Sequence, residues 1–180
     1  MKSNEFKKSL IRNNTELIMN TLKAIRSDLP EILEKMDFFT APASAGHHGN
    51  YPGGLLEHSV CVTMELVNLT RTQKLEWARP ESPLIVGMLH DLCKCDQYIL
   101  TPTGYKTNPD TINLGHGDRS VEMVSKLIDL TPEEVFCIRY HMGAFVPKQQ
   151  WGEYSGAVRR YPNVLWTHTA DMIASQLYNT

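Results

Sequence analysis

The stretch Ser82-Pro-Leu-Ile-Val-Gly-Met-Leu-His-Asp-Leu-Cys-Lys94 decides the fold class of this chain. Pro83 suits the first turn of a helix, because the backbone amides of that turn have no partner within the helix. Ser82 is then the expected N-cap of this helix. Apolar side chains then cover most sides of the helix, at Leu84, Ile85, Met88, Leu89 and Leu92. A helix of this kind packs at the centre of a domain. We therefore expect a buried central helix that carries His90 and Asp91 near its end.

Helical spacing of apolar residues continues on both sides of this stretch. Further helices are expected over residues 4–27, 30–36, 54–72, 118–130, 131–140 and 163–177. Thr131-Pro-Glu-Glu134 has the pattern of a capping box, and Asn163 is the expected cap of the last helix. Prolines and glycines predict a loop over residues 40–53. They also predict a long irregular segment over residues 143–162, of the kind that serves as a lid or a binding loop.

Residues 98–105 resemble a small β-hairpin that turns between Pro102 and Gly104. One strand pair among so many helices predicts an all-α class with a possible small β-hairpin. The length of 180 residues suffices for one domain with a substantial core. We therefore expect a single domain over residues 1–180.

The composition, with 42% hydrophobic and 21% charged residues, is that of an ordinary soluble globular protein. A formal net charge of −2 argues against a strongly basic protein that coats nucleic acid, although it is compatible with a local basic groove. No apolar run has the length of a transmembrane helix, and the N-terminal residues lack the apolar stretch of a secretory signal. These features predict a cytoplasmic protein without a membrane partner.

His90 and Asp91 are ionisable residues at the end of an apolar helix, where burial is costly unless they are paired or bound to a metal ion. Taken alone, such a dipeptide is more typical of a hydrogen-bonded core histidine. The rest of the chain changes this interpretation, because His58 lies on the preceding helix and Asp171 on the last one. The chain thus contains a histidine, then a His-Asp pair, then a distant aspartate.

This order resembles the defining pattern of the HD-domain metal-dependent phosphohydrolases, and the resemblance extends from about His47 to Gln176. In that superfamily the four motif residues bind a divalent metal ion inside a helical bundle. The resemblance therefore implies an HD-type bundle for this chain. The metal ligands that it implies are His58, His90, Asp91 and Asp171.

Two parts of the chain make the resemblance more specific. The run Ala43-Ser-Ala-Gly-His-His-Gly-Asn-Tyr-Pro-Gly-Gly-Leu-Leu-Glu-His58 is similar to the HD domain of certain bacterial 3′→5′ exoribonucleases. An OB-fold precedes the HD domain in those proteins, and the residues before Ala43 are too few for that module. The specificity for RNA therefore does not follow from the resemblance.

The second part is His90-Asp-Leu-Cys-Lys94, which is similar to a variant of the motif with a lysine after the His-Asp pair. Lys94 shares a helix face with both motif residues, so it could pair with a substrate phosphate or with Asp91. A solvated lysine at the end of a helix fits the spacing equally well.

His116 and His141 extend the candidate site. Subgroups of the HD superfamily add two histidines between the His-Asp pair and the final aspartate, and they hold two metal ions that the aspartate of the pair bridges. By position, His116 and His141 match that arrangement. The alternatives are that each is a surface or core histidine outside the site, or that both bind substrate phosphate as cations. One or two divalent transition-metal ions are expected, and His/Asp ligation favours Mn, Fe, Ni, Co or Zn over Mg.

Two candidate substrate-binding residues lie beside the ligands on expected helices. His168 precedes Asp171 by three residues, so the two share a helix face. Arg119 lies in the first helical turn after His116, where backbone amides also favour anions.

The remaining candidate substrate-binding residues lie in expected loops. His47 and His48 precede the His58 helix, and an exposed pair without a role is the alternative interpretation. Lys148 lies with Arg159 and Arg160 among aromatic residues that could stack a base while the cations hold a phosphate. A solvated loop whose aromatic residues pack onto the core fits the same pattern.

Cys93 and Cys95 are close to the His-Asp pair, but phosphate chemistry suits histidine and carboxylate ligands better than thiolates. Cys93 is two residues past Asp91 and is expected to face away from it. The CxxC spacing of a structural zinc site is missing. Four free thiols are expected, at Cys61, Cys93, Cys95 and Cys137.

These residues predict an enzyme that hydrolyses a phosphomonoester or phosphodiester of a nucleotide or a similar small phosphate. Asp91 and Lys94 are the expected catalytic residues, because Asp91 orients or bridges the metal and Lys94 neutralises charge on the phosphate. The alternatives are a nuclease acting on 3′ ends of RNA or DNA, a di-iron oxygenase of the HD fold, and an inactive metal-bearing binding module. The net charge and the lack of room for an OB-fold favour a small substrate over a nucleic acid.

Overall fold

The computed structural model describes residues 15–112, 115–178 and 180. Its α-helices are α1 (Thr15–Ile25), α2 (Leu29–Lys35), α3 (Gly54–Gln73), α4 (Ser82–Leu89), α5 (Lys94–Gln97), α6 (His116–Ser125), α7 (Pro132–Arg139), α8 (Trp151–Arg160) and α9 (Asn163–Met172). A π-helical segment, Ile173–Tyr178, continues α9. Two short 3-10 turns, Gly143–Phe145 and Lys148–Gln150, precede α8. The part of the first expected helix that contains Phe6 and Leu10 lies outside the described residues.

The two strands β1 (Tyr98–Thr101) and β2 (Gly104–Thr107) form an antiparallel hairpin between α5 and α6. Tyr98 pairs with Thr107 and Thr101 with Gly104. The prediction of an all-α fold with a small β-hairpin is confirmed. Among the described residues, no helix combines the length and the apolar character needed to cross a membrane.

Helix α4 is the buried centre of the fold, as predicted from its apolar residues. Its side chains are buried at every position except Leu84, and it packs against α1, α3 and α7. Helix α9 lies across α3 and α7, and α6 packs on α7. The chain segments that carry the expected ligands therefore meet around the C-terminal end of α4.

A glycine sets the distance between α3 and α4. A Cβ atom at Gly87 would lie 2.6 Å from the Cα and Oγ1 atoms of Thr63, which is too close for any side chain. Gly87 lies three residues before His90, and Thr63 lies five residues after His58. This close approach therefore brings the two histidine-bearing segments side by side.

The expected N-caps at Ser82 and Asn163 are wrong, because both residues are the first residues of their helices and bond elsewhere. The Ser82 hydroxyl donates to Glu134 Oε1 at 2.8 Å. The Asn163 amide donates to the carbonyl of Glu76 and to Glu133 Oε1, at 2.7 and 2.9 Å. Both side chains are buried, so they satisfy distant partners instead of their own helix ends.

The other helix starts and ends differ less from expectation. The capping box at Thr131 and Glu134 is confirmed, with both reciprocal hydrogen bonds present. Helix α4 ends at Leu89 rather than Leu92, because hydrogen bonds from Leu92 to Leu89 and from Lys94 to Asp91 tighten the chain into turns. Helix α6 begins at His116 and ends at Ser125, whereas the expected range was 118–130.

The irregular segment expected over residues 143–162 is the largest error in secondary structure. Helix α8 occupies half of it, although Gly152 and Gly156 both lie within the helix. Ala157 is buried, and Tyr154 and Val158 pack against the core. Tertiary packing of one face of α8 thus outweighs the low helix propensity of its glycines.

Candidate metal centre

The structure brings together five of the six expected ligands. His58 lies in α3, the pair His90 and Asp91 follows the end of α4, His141 follows α7, and Asp171 lies in α9. The side chains of the first four are almost completely inaccessible to solvent, and Asp171 is only slightly exposed. These five residues are called the His/Asp cluster below.

One half of the cluster is built from His58, His90 and Asp171. His58 Nε2 lies 3.1 Å from Asp171 Oδ1 and 3.3 Å from His90 Nε2. Asp91 Oδ2 lies close by, at 3.8 Å from His58 Nε2 and 3.6 Å from His90 Nε2. The ligand atoms of His58, His90 and Asp171 all lie within 4.8 Å of one another, as a shared ion requires.

The other half of the cluster lies on the opposite side of Asp91. His141 Nε2 is 3.3 Å from Asp91 Oδ1, the carboxylate oxygen that does not face Lys94. His90, Asp91 and His141 form a second group whose ligand atoms lie within 4.8 Å of one another. The two oxygens of Asp91 therefore face different halves of the cluster.

Backbone carbonyls hold the three histidine rings in place. Nδ1 of His58 donates to Thr180 O at 3.1 Å, that of His90 to Gly87 O at 3.0 Å, and that of His141 to Ile138 O at 2.7 Å. A carbonyl oxygen can only accept, so each Nδ1 carries the hydrogen. The lone pair of each neutral ring is then on Nε2, which faces the cluster, as in histidines that bind metals.

Two buried atoms of the cluster fit a bound cation. Asp91 Oδ1 and His141 Nε2 are inaccessible to solvent and have no hydrogen-bond partner among the described residues. Two acceptors that face each other at 3.3 Å repel unless a cation, either a proton or a metal ion, lies between them. Imidazole nitrogens and carboxylate oxygens are ligands that suit a divalent transition metal.

The electrostatic environment favours the forms of these residues that bind metals. Burial alone would raise the pKa of Asp91, but Lys94 and His90 hold it well below its usual value. The pKa of Asp171 is also lowered, because His58 outweighs the effect of burial. Burial lowers the pKa of His90 to about 4, so its ring is neutral near pH 7.

The pKa of His141 is shifted in the opposite direction to that of His90. Burial would lower its pKa, but the adjacent Asp91 carboxylate raises it above the usual value. Without a metal ion, a proton on His141 can neutralise the contact with Asp91. A metal ion at this position would compete with that proton.

Lys94 is the buried cation of the site, and the interpretation as a solvated lysine is wrong. Its ammonium group lies 2.9 Å from Asp91 Oδ2, and the residue is 8% exposed. Burial would lower the pKa of Lys94, but Asp91 raises it above its usual value, so the group stays charged. Lys94 also lines the cavity above the cluster.

A cavity of about 710 Å³ opens onto the His/Asp cluster. Asp91 and Asp171 lie in its wall, together with four residues expected at the site, namely Lys94, His47, His48 and His168. His168 Nδ1 donates to the carbonyl of His141 at 2.8 Å, which leaves Nε2 available to a ligand. The wall also contains His116, the sixth expected ligand.

His116 is half-buried and lies between this cavity and a smaller crevice. Its Nδ1 atom is 3.8 Å from the Cys93 thiol. Burial raises the pKa of Cys93 to about 12, so this sulfur is a neutral thiol rather than a metal-binding thiolate. His116 thus borders the cluster from the cavity side without belonging to either group of converging ligand atoms.

Two expected substrate-binding residues lie elsewhere. Arg119 donates to Asp96 at 2.9 Å and to Glu122 at 2.7 Å, and it borders the smaller crevice. Lys148 is exposed in the second 3-10 turn and is not among the residues that line the cavity.

Several residues of the cavity wall were missed in the sequence. They are Ser44, Gly46, Tyr98, Met142, Phe145, Met172, Ser175 and Gln176. The spacing of two of them along the chain could have indicated their position. Tyr98 lies four residues after Lys94, and Ser175 lies four after Asp171, which is the spacing of neighbours on one helix face. Phe145 lies in the segment that was expected to be irregular, so its direction could not be derived.

Comparisons of the chain with protein-family models, with curated proteins and with solved structures found no match. The class of protein is therefore defined by the fold and the cluster alone. It is an all-α protein with a buried group of histidines and aspartates that could hold a metal ion.

Proposed function

We propose that this chain is a metal-dependent phosphohydrolase of the HD type, which cleaves a phosphomonoester or phosphodiester of a nucleotide or a similar small phosphate. The observation that supports it most directly is the pair Asp91 Oδ1 and His141 Nε2, two buried acceptors at 3.3 Å without a hydrogen-bond partner among the described residues. This pair lies below a cavity that also contains a buried lysine.

The positions of the donor atoms suggest which residues would hold each of two ions. His58, His90 and Asp171 would hold one ion together with Asp91 Oδ2. His141 and Asp91 Oδ1 would hold the second ion. His116, the remaining expected ligand, lies in the cavity wall beside them. His90 Nε2 offers a single lone pair, so it can bind only one of the two ions. Divalent ions at these positions would lower the pKa of a bound water and polarise a phosphoryl oxygen.

The chain's own residues would bind and orient the substrate. Lys94 is held in the cavity wall with its charge intact, where it can attract a phosphate oxygen. His168 presents Nε2 while its other nitrogen is fixed by the His141 carbonyl. His47 and His48 lie on the same wall and can donate or accept hydrogen bonds. Arg119 would not contribute, since two carboxylates already neutralise its charge.

The test is metal analysis of protein purified without added metal, followed by assays of phosphate release from nucleotides and model phosphodiesters. The proposal predicts bound Mn, Fe, Ni, Co or Zn and metal-dependent hydrolysis. Asp91→Ala should abolish hydrolysis and lower the metal content, because it removes the ligand that both halves of the cluster share. The helical circular dichroism signal should be largely retained.

Asp110→Ala is the matched control, because Asp110 is an exposed aspartate outside the cavity. It should keep both the metal and the activity. Full hydrolysis by the Asp91→Ala variant would refute the mechanism. Iron-dependent consumption of dioxygen without release of phosphate would instead indicate an oxygenase.

A further inference from the structure

Phe145 is a large apolar side chain that the fold leaves in solvent at the cavity. The residue is 69% exposed. Exposed apolar residues are common on protein surfaces, and most of them require no explanation. Among the exposed large hydrophobic residues of the described part of the chain, however, Phe145 is the one that lines this cavity.

The turn that carries Phe145 is closely packed and held by hydrogen bonds. Gly143 begins this 3-10 turn with a φ of +57°, and a Cβ atom there would lie 2.5 Å from the His168 ring. The Phe145 amide donates to Met142 O at 3.1 Å, and the Val146 amide donates to Gly143 O at 3.3 Å. The Trp151 indole then donates to Val146 O at 3.2 Å. The exposed ring is thus presented by a fixed backbone.

The Phe145 ring lies beside another ring of the cavity wall and remains largely exposed. Phe145 meets His168 in an edge-to-face arrangement, with 6.5 Å between ring centroids and 61° between planes. Met142 and Met172 line the same cavity, and thioether side chains adapt well to flat apolar groups. The cavity wall therefore contains the apolar side chains of Phe145, Met142 and Met172 in addition to the charged groups of Lys94, Asp91 and Asp171.

We infer that the cavity selects phosphate esters that carry a planar aromatic group, such as a nucleobase, and that Phe145 is the residue that stacks on this group. The inference rests on the proposed function for the phosphate end of the ligand. A volume of about 710 Å³ accommodates a mononucleotide, which needs more room than a bare phosphate. Stacking on one aromatic side chain tolerates different bases, so Phe145 would select for a base rather than for one particular base.

The experiment compares adenosine 5′-monophosphate with ribose 5-phosphate, which has the same phosphate and sugar but lacks the base. Isothermal titration calorimetry measures the affinity of the purified protein for each compound, and release of phosphate is followed in parallel. Adenosine 5′-monophosphate should bind more tightly. Phe145→Ala should weaken its binding about tenfold more than it weakens that of ribose 5-phosphate, which is the loss expected for one stacked base. Phe145→Trp keeps an aromatic face and should retain the preference.

Leu100→Ala is the matched control, because Leu100 is 70% exposed on the β-hairpin and does not line the cavity. It should alter neither affinity. Equal affinities for the two compounds, an equal loss in the Phe145→Ala variant, or no binding of adenosine 5′-monophosphate would each overturn the inference. Phe145-dependent binding of the nucleotide, with no hydrolysis of it or of the nucleotides and model phosphodiesters in the metal-dependent assays, would refute the proposed function while the inference stands.

Discussion

Asp91 connects the two halves of the His/Asp cluster, because each of its carboxylate oxygens faces a different set of nitrogens. Oδ2 lies beside Lys94, His58 and His90, and Oδ1 lies beside His141. A single ion held by the first half would leave Oδ1 and His141 Nε2 facing each other without a partner among the described residues. Either a proton on His141 or a second ion between the two atoms removes that cost. The number of bound ions distinguishes these two possibilities.

His141→Ala tests this count. The variant should bind about one ion per chain where the unmodified protein binds about two, because His58, His90 and Asp171 still hold the first ion. Mass spectrometry of the metal content after loading with excess manganese and gel filtration measures the ratio. His47→Ala provides a comparison, since His47 lies in the cavity wall outside the converging ligand groups and its loss should leave the ratio unchanged. A single ion in the fully loaded, unmodified protein would contradict the two-ion interpretation.

Helix packing brings the candidate ligands together, two of them within helices and three in the turns that directly follow α4 and α7. Gly87 allows the backbone of α4 to approach Thr63 of α3 closely. The Nε2 atoms of His58 and His90, which lie beside this crossing, are 3.3 Å apart. The ends of α4 and α7 then add Asp91 and His141, while α9 brings Asp171. A small change in one helix crossing would therefore alter the distances between ligand atoms.

Gly87→Ala should separate α3 from α4, because the added methyl group would lie 2.6 Å from backbone and side-chain atoms of Thr63. We expect a loss of stability of about 1–3 kcal/mol, as for other overpacked cores. Metal affinity should fall as well, since His58 and His90 move apart. Thermal unfolding and competitive metal titration measure the two effects.

Gly156→Ala is the control for that substitution, because a Cβ atom at Gly156 meets no heavy atom within 4 Å. It should raise the helix propensity of α8 and increase stability by up to about 1 kcal/mol. Metal affinity should not change. A Gly87→Ala variant as stable and as tightly metal-binding as this control would disprove the role assigned to the helix crossing.

The secondary structure shows where local patterns suffice and where they do not. The apolar run of α4 and the capping box at Thr131 determine their helices locally, and both predictions are confirmed. Helix α8 was missed because its two glycines are unfavourable in isolation, whereas its buried face compensates only after folding. The expected caps at Ser82 and Asn163 are wrong because the fold provides other hydrogen-bond partners. These partners, Glu134 and Glu133, are buried with them but far away in sequence.

At the scale of the whole molecule, the cavity size and the charge set an expectation for the substrate. The cavity of about 710 Å³ suits one or two nucleotides. A net charge of −2 provides no general attraction for a long polyanion. Among the described residues that line the cavity, Lys94 is the one lysine or arginine, and it does not belong to an extended basic groove.

Mononucleotides or dinucleotides should therefore be hydrolysed at least about tenfold more efficiently than a long RNA, by comparison of kcat/KM values. Increasing salt should have little effect on the rate with the small substrates, because few phosphate contacts are made. Processive degradation of a long RNA, without activity on small phosphates, would reverse this expectation and support the nuclease alternative.

The candidate site was predictable from the sequence where residue type and order along the chain carried the information. His58, His90, Asp91, His141 and Asp171 were named because their order resembles that of the HD-domain phosphohydrolases, and the structure brings their side chains together. The wall of the cavity was not predictable in the same way. Phe145 and Met142 reach it through the packing of a turn against His168, and this contact depends on tertiary structure. Arg119 had a suitable local position, but its two acidic neighbours could be identified only in the fold.

The hydrogen bond from His58 to the carbonyl of Thr180 joins residues 122 positions apart in the sequence. Contacts of such long range form late in folding, since they require the closure of a large loop. The final orientation of the His58 ring therefore depends on one of the last parts of the fold to form. Capture of a metal ion by the proposed centre would thus be a late event in refolding, and the rate at which denatured protein regains metal would report on the completion of the fold.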